Sequence, residues 1–309
     1  MTSPFGPLVL IANPRAGRGK VDAALPRVER VLRDHGLDYR IVRTTHPGHA
    51  TDAARHALQN GERFLVAAGG DGTVHEVING MILNGTATAP DAVLGVVAAG
   101  SGCDFVRTFG LPGDAGSAAS RLAGDRVRVI DVGTVTCPDG ETNPTTWTRY
   151  FVTIAEAGLG GAVVARTARL GRFLGAARYA SGFWLTLPGV RPAPVRLDAD
   201  GQVSSWRAFN VVVANCSFYG GGMRISPKSD PGDGLLDVLV MTGPKSDAFA
   251  TLPKVYRGSH LPHRNIAELR AGRIRLDADR PFPVEADGEI VGTTPVSFGI
   301  IPGVIRLKV

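Results

Sequence analysis

The 309-residue chain contains only three cysteines, Cys103, Cys137 and Cys216, and they form no Cys-x-x-Cys pair. An odd, scattered set excludes a disulfide framework and a paired-thiol metal or redox motif, and it fits a reducing compartment. Long apolar runs are also missing: no stretch reaches the roughly 18 residues needed to cross a bilayer. Residues 1–7 lack a basic segment followed by an apolar core, so no signal peptide is expected and the localisation expected is cytoplasmic. Basic residues are not interleaved with aromatics in any recognisable module, which argues against nucleic-acid binding. Glycine and proline are plentiful, at 40 and 21 residues, but they punctuate apolar runs as turns and build no repeat or low-complexity tract.

What is present is an ordinary globular composition with a net charge of +6, which favours acidic partners such as anionic lipid or nucleotide phosphates. The length predicts two domains of roughly 150 residues. Over residues 8–131, short β-branched runs alternate with helical patterns: strands at 8–12, 39–42, 64–68 and 93–98, helices at 21–35, 49–58, 74–83 and 105–109. That rhythm predicts an α/β domain with a doubly wound parallel sheet, whose ligands bind beyond the carboxyl ends of the strands. From 132 to 309 the pattern changes to strands between Gly, Pro, Asp and Asn turns, at 150–154, 195–198, 206–214, 235–241, 273–276, 284–286 and 304–309. This predicts a β-sandwich-rich domain, interrupted by helical patterns at 162–187 and 246–257. The boundary is placed at 131, giving domains 1–131 and 132–309.

Three glycine-bearing loops follow strands of the first domain. In Gly69-Gly70-Asp71-Gly72-Thr73, glycines are expected to adopt positive φ and let backbone amides approach phosphate oxygens. Thr73 and Glu76 have capping-box spacing, which predicts a helix starting there with its positive dipole end in the loop. Asp71 is out of place in a pure anion site, since its carboxylate repels phosphate unless Mg²⁺ or a proton transfer intervenes. The second loop, Asn13-Pro14-Arg15-Ala16-Gly17-Arg18-Gly19-Lys20, supplies glycines, three cations and an Asn able to hold a nucleotide, without the spacing of a Walker lysine motif. The third carries Gly100-Ser101-Gly102-Cys103-Asp104. Each loop read alone also describes a plain turn. In the second domain, Ser229-Asp230-Pro231-Gly232-Asp233-Gly234-Leu235 offers oxygen ligands suited to Mg²⁺, or else a hairpin turn. Glu285-Ala286-Asp287-Gly288-Glu289 places three acids within five residues, whose mutual repulsion is expected to raise a carboxyl pKa toward a proton acceptor's range.

Taken in order, these segments resemble the diacylglycerol kinase catalytic family, with its soluble bacterial members and sphingosine kinase relatives. Asn13 to Gly17 looks like the nucleotide loop, Gly70 to Glu76 the signature loop, and Gly100 to Phe105 the Gly-Thr-x-Asn-Asp-Phe segment. The Gly220-Gly221-Gly222 run, Asp233-Gly234-Leu235 and Asp287-Gly288-Glu289 continue the match, which spans residues 8 to about 289. The resemblance implies a first domain like that of NAD kinase and phosphofructokinase, an interdomain cleft that admits lipid, and ATP with Mg²⁺ as cofactors. ATP would contact Asn13, Pro14, Arg15, Ala16, Gly17, Thr44, Gly70, Asp71, Gly72, Thr73, Val74, His75, Glu76 and Ser101. Asp230, Asp233 and the Leu235 carbonyl would hold a structural Mg²⁺, and Glu289 would accept a proton. Ser101 departs from the usual Thr but keeps the hydroxyl; Cys103 replaces an Asn and loses the amide.

The function expected is phosphoryl transfer from ATP to the hydroxyl of diacylglycerol or a related lipid, with Asp71 organising the catalytic Mg²⁺ and Glu289 as base, or these roles exchanged. The alternatives are a small-molecule kinase of the NAD kinase or phosphofructokinase type and a non-catalytic lipid-binding regulator. Arg166, Arg169, Arg172 and Arg178 line one side of the 162–190 pattern, opposite Val163, Leu170, Phe173, Leu174 and Ala177. Such a helix either lies peripherally on an anionic membrane surface or is a domain helix with a solvated face. Exposed edge strands in a β-rich second domain also allow two copies to pair as a homodimer.

Overall fold

Strand and helix alternate through the first part of the chain, as β1 (Leu8–Ala12), α1 (Lys20–Asp34), β2 (Tyr39–Arg43), α2 (His49–Gln59), β3 (Phe64–Gly69) and α3 (Asp71–Met81). A short hairpin of β4 (Ile82–Leu83) and β5 (Thr86–Ala87) leads to β6 (Val93–Ala98), α4 (Asp104–Thr108), α5 (Ala115–Arg121) and β7 (Val127–Pro138). There follow β8 (Thr146–Phe151), β9 (Ile154–Gly158), α6 (Leu159–Arg169), α7 (Ala177–Thr186), β10 (Ala193–Ala199), β11 (Gln202–Ala208), β12 (Asn210–Ala214) and β13 (Leu236–Met241). The chain ends with α8 (Asp247–Arg257), β14 (Ile266–Ala271), β15 (Arg273–Ala278), β16 (Pro283–Ala286), β17 (Glu289–Thr293) and β18 (Val296–Lys308). This is a computed structural model; it describes residues 3–98, 103–138, 146–169 and 177–309, the side chains of residues 146, 147, 169 and 177–180 excepted.

Two units emerge, one formed by Met1–Val132 with Ile301–Val309, the other by Gly133–Ile300. In the first, β2, β1, β3 and β6 lie side by side in parallel, with Arg306 and Leu307 of β18 paired in parallel beyond β6. Every residue of β1, β3 and β6 is buried, as expected for parallel strands covered on both faces. Leu8, Leu10, Phe64 and Val66 pack with Val21, Leu25 and Val28 of α1 and Ala118 and Ala119 of α5. The helices α2 and α3 pack on each other and on β1 and β3, and contribute the buried Ala50, Ala54, Val74, Val77 and Ile78. The doubly wound α/β expectation is met. Residues 304–309, expected in the second domain, belong to the first unit instead, where Ile305 and Leu307 are fully buried. A single cut along the sequence cannot represent a strand that returns.

The second unit contains an antiparallel sheet in the order β14-β13-β12-β9-β16-β17. A second antiparallel set joins β11, β10, β15 and the start of β18, and β7 pairs with β8. Val211, Val213, Val238 and Val284 of the first sheet share one core with Leu197, Leu276, Phe151 and Phe298, which makes this a β-sandwich. The opposite face of the six-stranded sheet is covered by Val255 of α8, against Val212 and Leu239.

Several expected boundaries differ for identifiable reasons. The strand expected at 150–154 divides because the amides of Val152 and Thr153 turn to the Asp287 carboxylate. The strand at 206–214 divides at Phe209, whose amide and carbonyl bond to Met241 and Leu159. The helix expected at 162–187 comprises α6 and α7, with residues 170–176, including Arg172, Phe173 and Leu174, outside the described residues.

Candidate active site

The glycine loop after β3 opens α3 three residues earlier than the capping-box spacing predicts. The helix starts at Asp71 with Gly70 as its N-cap and no side-chain cap. Glu76 is used elsewhere: its Oε2 accepts from the Ala50 amide at 3.0 Å, capping α2, while Thr51 Oγ1 donates to the Glu76 carbonyl at 2.9 Å. The glycines here do not take positive φ either. Gly70 is extended, at φ −102° and ψ −169°. A Cβ at Gly70 or Gly72 would meet no described atom within 4 Å, so neither glycine crowds the positive end of this eleven-residue helix among the described residues. Gly69 has a steric reason: a Cβ there collides with Thr73 Oγ1, whose residue is buried. Gly69→Ala is therefore expected to destabilise the protein by about 1–3 kcal/mol, read by urea denaturation.

Asp71 does not project freely from that helix end. Its carboxylate accepts from the amides of Asp104 (3.1 Å) and Phe105 (2.9 Å) and from Cys103 Sγ (3.2 Å). It thus caps α4 and ties the loop after β3 to the segment after β6, a role no spacing in the sequence reveals. Burial pushes its carboxyl up, against the pull of the amide hydrogen bonds. Cys103 occupies the Asn position of the family segment and supplies one of those donors; burial, then the Asp71 charge, drives its thiol pKa well upward. Asp104 is buried and pairs with Arg107 at 2.6 Å. Ser101 lies outside the described residues.

Residues 13–17, expected to form a nucleotide loop, and Thr44 meet the neighbouring strands through the backbone. The Asn13 amide donates to Ala68 O at the end of β3, and the Thr44 amide donates to Ala12 O at the end of β1. Asn13 Oδ1 accepts from the Arg15 amide at 3.1 Å, an Asx turn that starts a tight loop. Gly17, Arg18 and Gly19 then take left-handed conformations, at φ 59°, 60° and 86°, before α1 begins. Asn13 to Gly17, Thr44 and Gly70 to Glu76 thus cluster at the carboxyl ends of adjacent parallel strands, or in the helix leading away from them.

The second unit presents the other candidate. Asp287 and Gly288, at φ 49° and 85°, form the two-residue turn between β16 and β17, and Ala286 pairs with Glu289. Asp287 accepts from the amides of Val152 (2.7 Å), Thr153 (2.9 Å) and Ile154 (3.3 Å), and from Thr153 Oγ1 (2.6 Å). This anchors the turn and leaves Glu289 exposed at its far side, paired with Arg149 at 3.1 Å. Glu285 faces inward and accepts from the Gly288 amide at 2.8 Å.

The raised carboxyl pKa expected of this acidic run belongs to Glu285, and repulsion among the three acids is not its main cause. Burial is the main cause, with Glu156, its cross-strand partner on β9, next and Asp287 after it. Glu156 is itself buried and raised, though it accepts from Asn210 at 2.9 Å and bonds Tyr219. A lone acid in the apolar run Ile154–Gly158 was the available signal for this pair, which the sequence reading missed. Tyr219, Glu156 and Asp287 are the titratable groups that act on Glu285. The native pair holds a proton that the unfolded chain releases above about pH 4.3, so the stability it contributes is complete below that pH and declines as pH rises toward the raised native values. Glu285→Gln should melt like the parent near pH 5 and above it near pH 9, by differential scanning calorimetry.

The loop at 230–235 is tied to a basic side chain. Asp233 Oδ1 accepts from the Leu235 amide at 3.0 Å, and the Arg270 guanidinium pairs with both Asp233 and Asp237. Among the described residues no group of three or more His, Cys, Asp or Glu side chains is arranged to hold a metal. Asp230, Asp233 and the Leu235 carbonyl, the set expected to hold Mg²⁺, lie in this loop, where the Arg270 guanidinium also places positive charge. Arg270→Ala, which leaves Asp233 and Asp237 without their shared cation, should lower the thermal midpoint in differential scanning calorimetry.

A glycine-bearing strand-to-helix turn on a doubly wound sheet, followed by a β-sandwich, defines the two-part architecture of the NAD kinase-like kinases. Residues 7–135 match the diacylglycerol kinase catalytic domain, and residues 153–309 match the YegS C-terminal NAD kinase beta sandwich-like domain. The chain belongs to the diacylglycerol kinase catalytic family. It is similar to a diacylglycerol kinase of Bacillus subtilis, at 29% identity over 94% of this chain and 91% of the relative. The crystal structure of a diacylglycerol kinase from Bacillus anthracis shares the fold, with TM-score 0.75 and 24% identity over 99% of this chain and 97% of that one. Yeast NADH kinase in complex with NADH shares it more distantly, with TM-score 0.54 and 11% identity over 97% and 82% of the two chains. Among the described residues no helix is long and apolar enough to cross a membrane.

Proposed function

We propose that the protein transfers the terminal phosphoryl group of ATP to the hydroxyl of diacylglycerol or a closely related lipid. The observation that carries this reading is the positive end of α3 left uncrowded by described atoms at Gly70 and Gly72, in a chain of this family. ATP enters as its magnesium complex, and its phosphates lie against Gly70, Asp71, Gly72, Thr73, Val74, His75 and Glu76, where backbone amides and the helix dipole favour anions. Asn13, Pro14, Arg15, Ala16, Gly17 and Thr44 flank the nucleotide, with Ser101 carried over from the resemblance. Asp71 acts by holding the loops in register, since its carboxylate is committed to α4.

The lipid hydroxyl oxygen attacks the γ-phosphorus, the bond to the β-phosphate oxygen breaks, and Glu289 takes the hydroxyl proton. Arg149 holds Glu289 in position for that step. A substrate dissolved in a bilayer brings the protein to a membrane surface, where its positive charge favours anionic lipid.

The reading is tested by incubating the protein with γ-labelled ATP and a panel of diacylglycerol, sphingoid base, ceramide and NAD. Label recovered in phosphatidic acid supports it. Label in NADP points to a small-molecule kinase, and no transfer at all points to a lipid-binding regulator.

A further inference from the structure

Most of the large apolar side chains of the second unit lie inside its core, but α7 and α8 leave a group of them outside. Trp184 is stacked on Phe249, with ring centroids 4.7 Å apart and planes at 29°, and Phe183 meets Trp184 edge-on at 5.1 Å. Trp184 is 38% exposed, Leu185 54%, Phe249 67% and Tyr256 52%. Phe249, Pro253 and Tyr256 recur at helical spacing on the outer face of α8, while Val255 on its inner face is buried in the core. Lys245 Nζ bonds Pro188 O at 2.6 Å, fastening the segment before α8 to the turn after α7.

The exposed charges beside the stack are mainly positive. Lys254 and Arg257 are exposed alongside Tyr256, while the acid of α8, Asp247, bonds Asn265 at 2.6 Å. Aromatic side chains with a polar edge and flanking cations suit the boundary between headgroups and acyl chains. Two copies of this chain meeting across a two-fold axis would bring like charges together, whereas an anionic bilayer complements them.

We propose that the stacked Trp184 and Phe249, with Leu185 and Tyr256 and flanked by Lys254 and Arg257, form the surface by which the protein docks on an anionic bilayer. The inference rests on the reading of the substrate as a membrane lipid, and it differs from the arginine-lined helix face expected from the sequence. On α6 that face retains an exposed Arg166, but Val163 is buried in the core, and the side chains of Arg169, Arg172 and Arg178 lie outside the described residues.

The test is co-sedimentation of the full chain with phosphatidylcholine vesicles, with and without phosphatidylglycerol, beside transfer from ATP to a water-soluble short-chain diacylglycerol. The expected result is binding that requires phosphatidylglycerol and falls about tenfold or more in Trp184→Ser/Phe249→Ser. It should fall by about fivefold per charge removed in Lys254→Gln/Arg257→Gln, which leaves the aromatic stack untouched. Transfer to the soluble lipid should be unchanged in both variants. Vesicle binding equal to the parent's in both variants overturns the docking surface even if the soluble lipid is phosphorylated. So does a change confined to self-association in analytical ultracentrifugation, which would assign the patch to a second copy. Vesicle binding lost as expected, with no transfer to the soluble lipid by the parent, supports the surface and rejects the kinase reading.

Discussion

Glu289→Gln is expected to lower turnover by about 10²–10⁴-fold while leaving ATP affinity near the parent's. The amide matches the carboxylate in size and can still accept from Arg149, so the hairpin should fold as before, but it cannot take a proton. Asp71→Asn serves as the comparison. Because Asp71 caps α4 through the amides of Asp104 and Phe105, its loss should appear mainly as weaker nucleotide binding and lower stability. Single-turnover kinetics with saturating ATP, alongside calorimetric ATP titration, separate the two. A larger loss of chemistry in Asp71→Asn, with ATP binding intact, would exchange the roles.

Asp287→Ala is expected to destabilise the protein by about 3 kcal/mol, among the largest effects of any single substitution outside the cores. The carboxylate accepts from three backbone amides and one hydroxyl, and its removal leaves the amides of Val152 and Thr153 without their acceptor. Alanine is also poorly suited to the left-handed conformation at this position, φ 49°. Asn tolerates that conformation and keeps one acceptor oxygen, so Asp287→Asn should lose about half as much. Urea denaturation measures both. Since the same turn carries Glu289, the alanine variant should also lose activity at temperatures where it remains folded.

The sequence made the periodic features visible. Buried β-branched runs followed by amphipathic helices define the first unit, and Gly69-Gly70-Asp71-Gly72-Thr73 falls at the strand-to-helix junction where the pattern placed it. The Asp-Gly pair at 287–288 announces a tight turn between two strands. What the sequence hid depends on contacts between distant residues. Thr73 and Glu76 have the spacing of a capping box, but the Glu76 carboxylate is drawn to the start of α2, 26 residues earlier. The hydrogen bonds from the Asp104 and Phe105 amides to Asp71 join residues more than thirty positions apart, and no spacing announces them. The last strand reads as part of the β-rich domain until its register with Val93 and Leu94 places it in the first unit. Glu156 and Glu285 are 129 positions apart, and only sheet pairing makes them neighbours.

The most direct measurement is a crystal structure of the protein with a non-hydrolysable ATP analogue and magnesium. The account predicts phosphate oxygens on the amides of Gly70 to Thr73 at the start of α3, with the Asn13 to Gly17 turn alongside. A nucleotide seated elsewhere, with the space before α3 filled only by water, would contradict it.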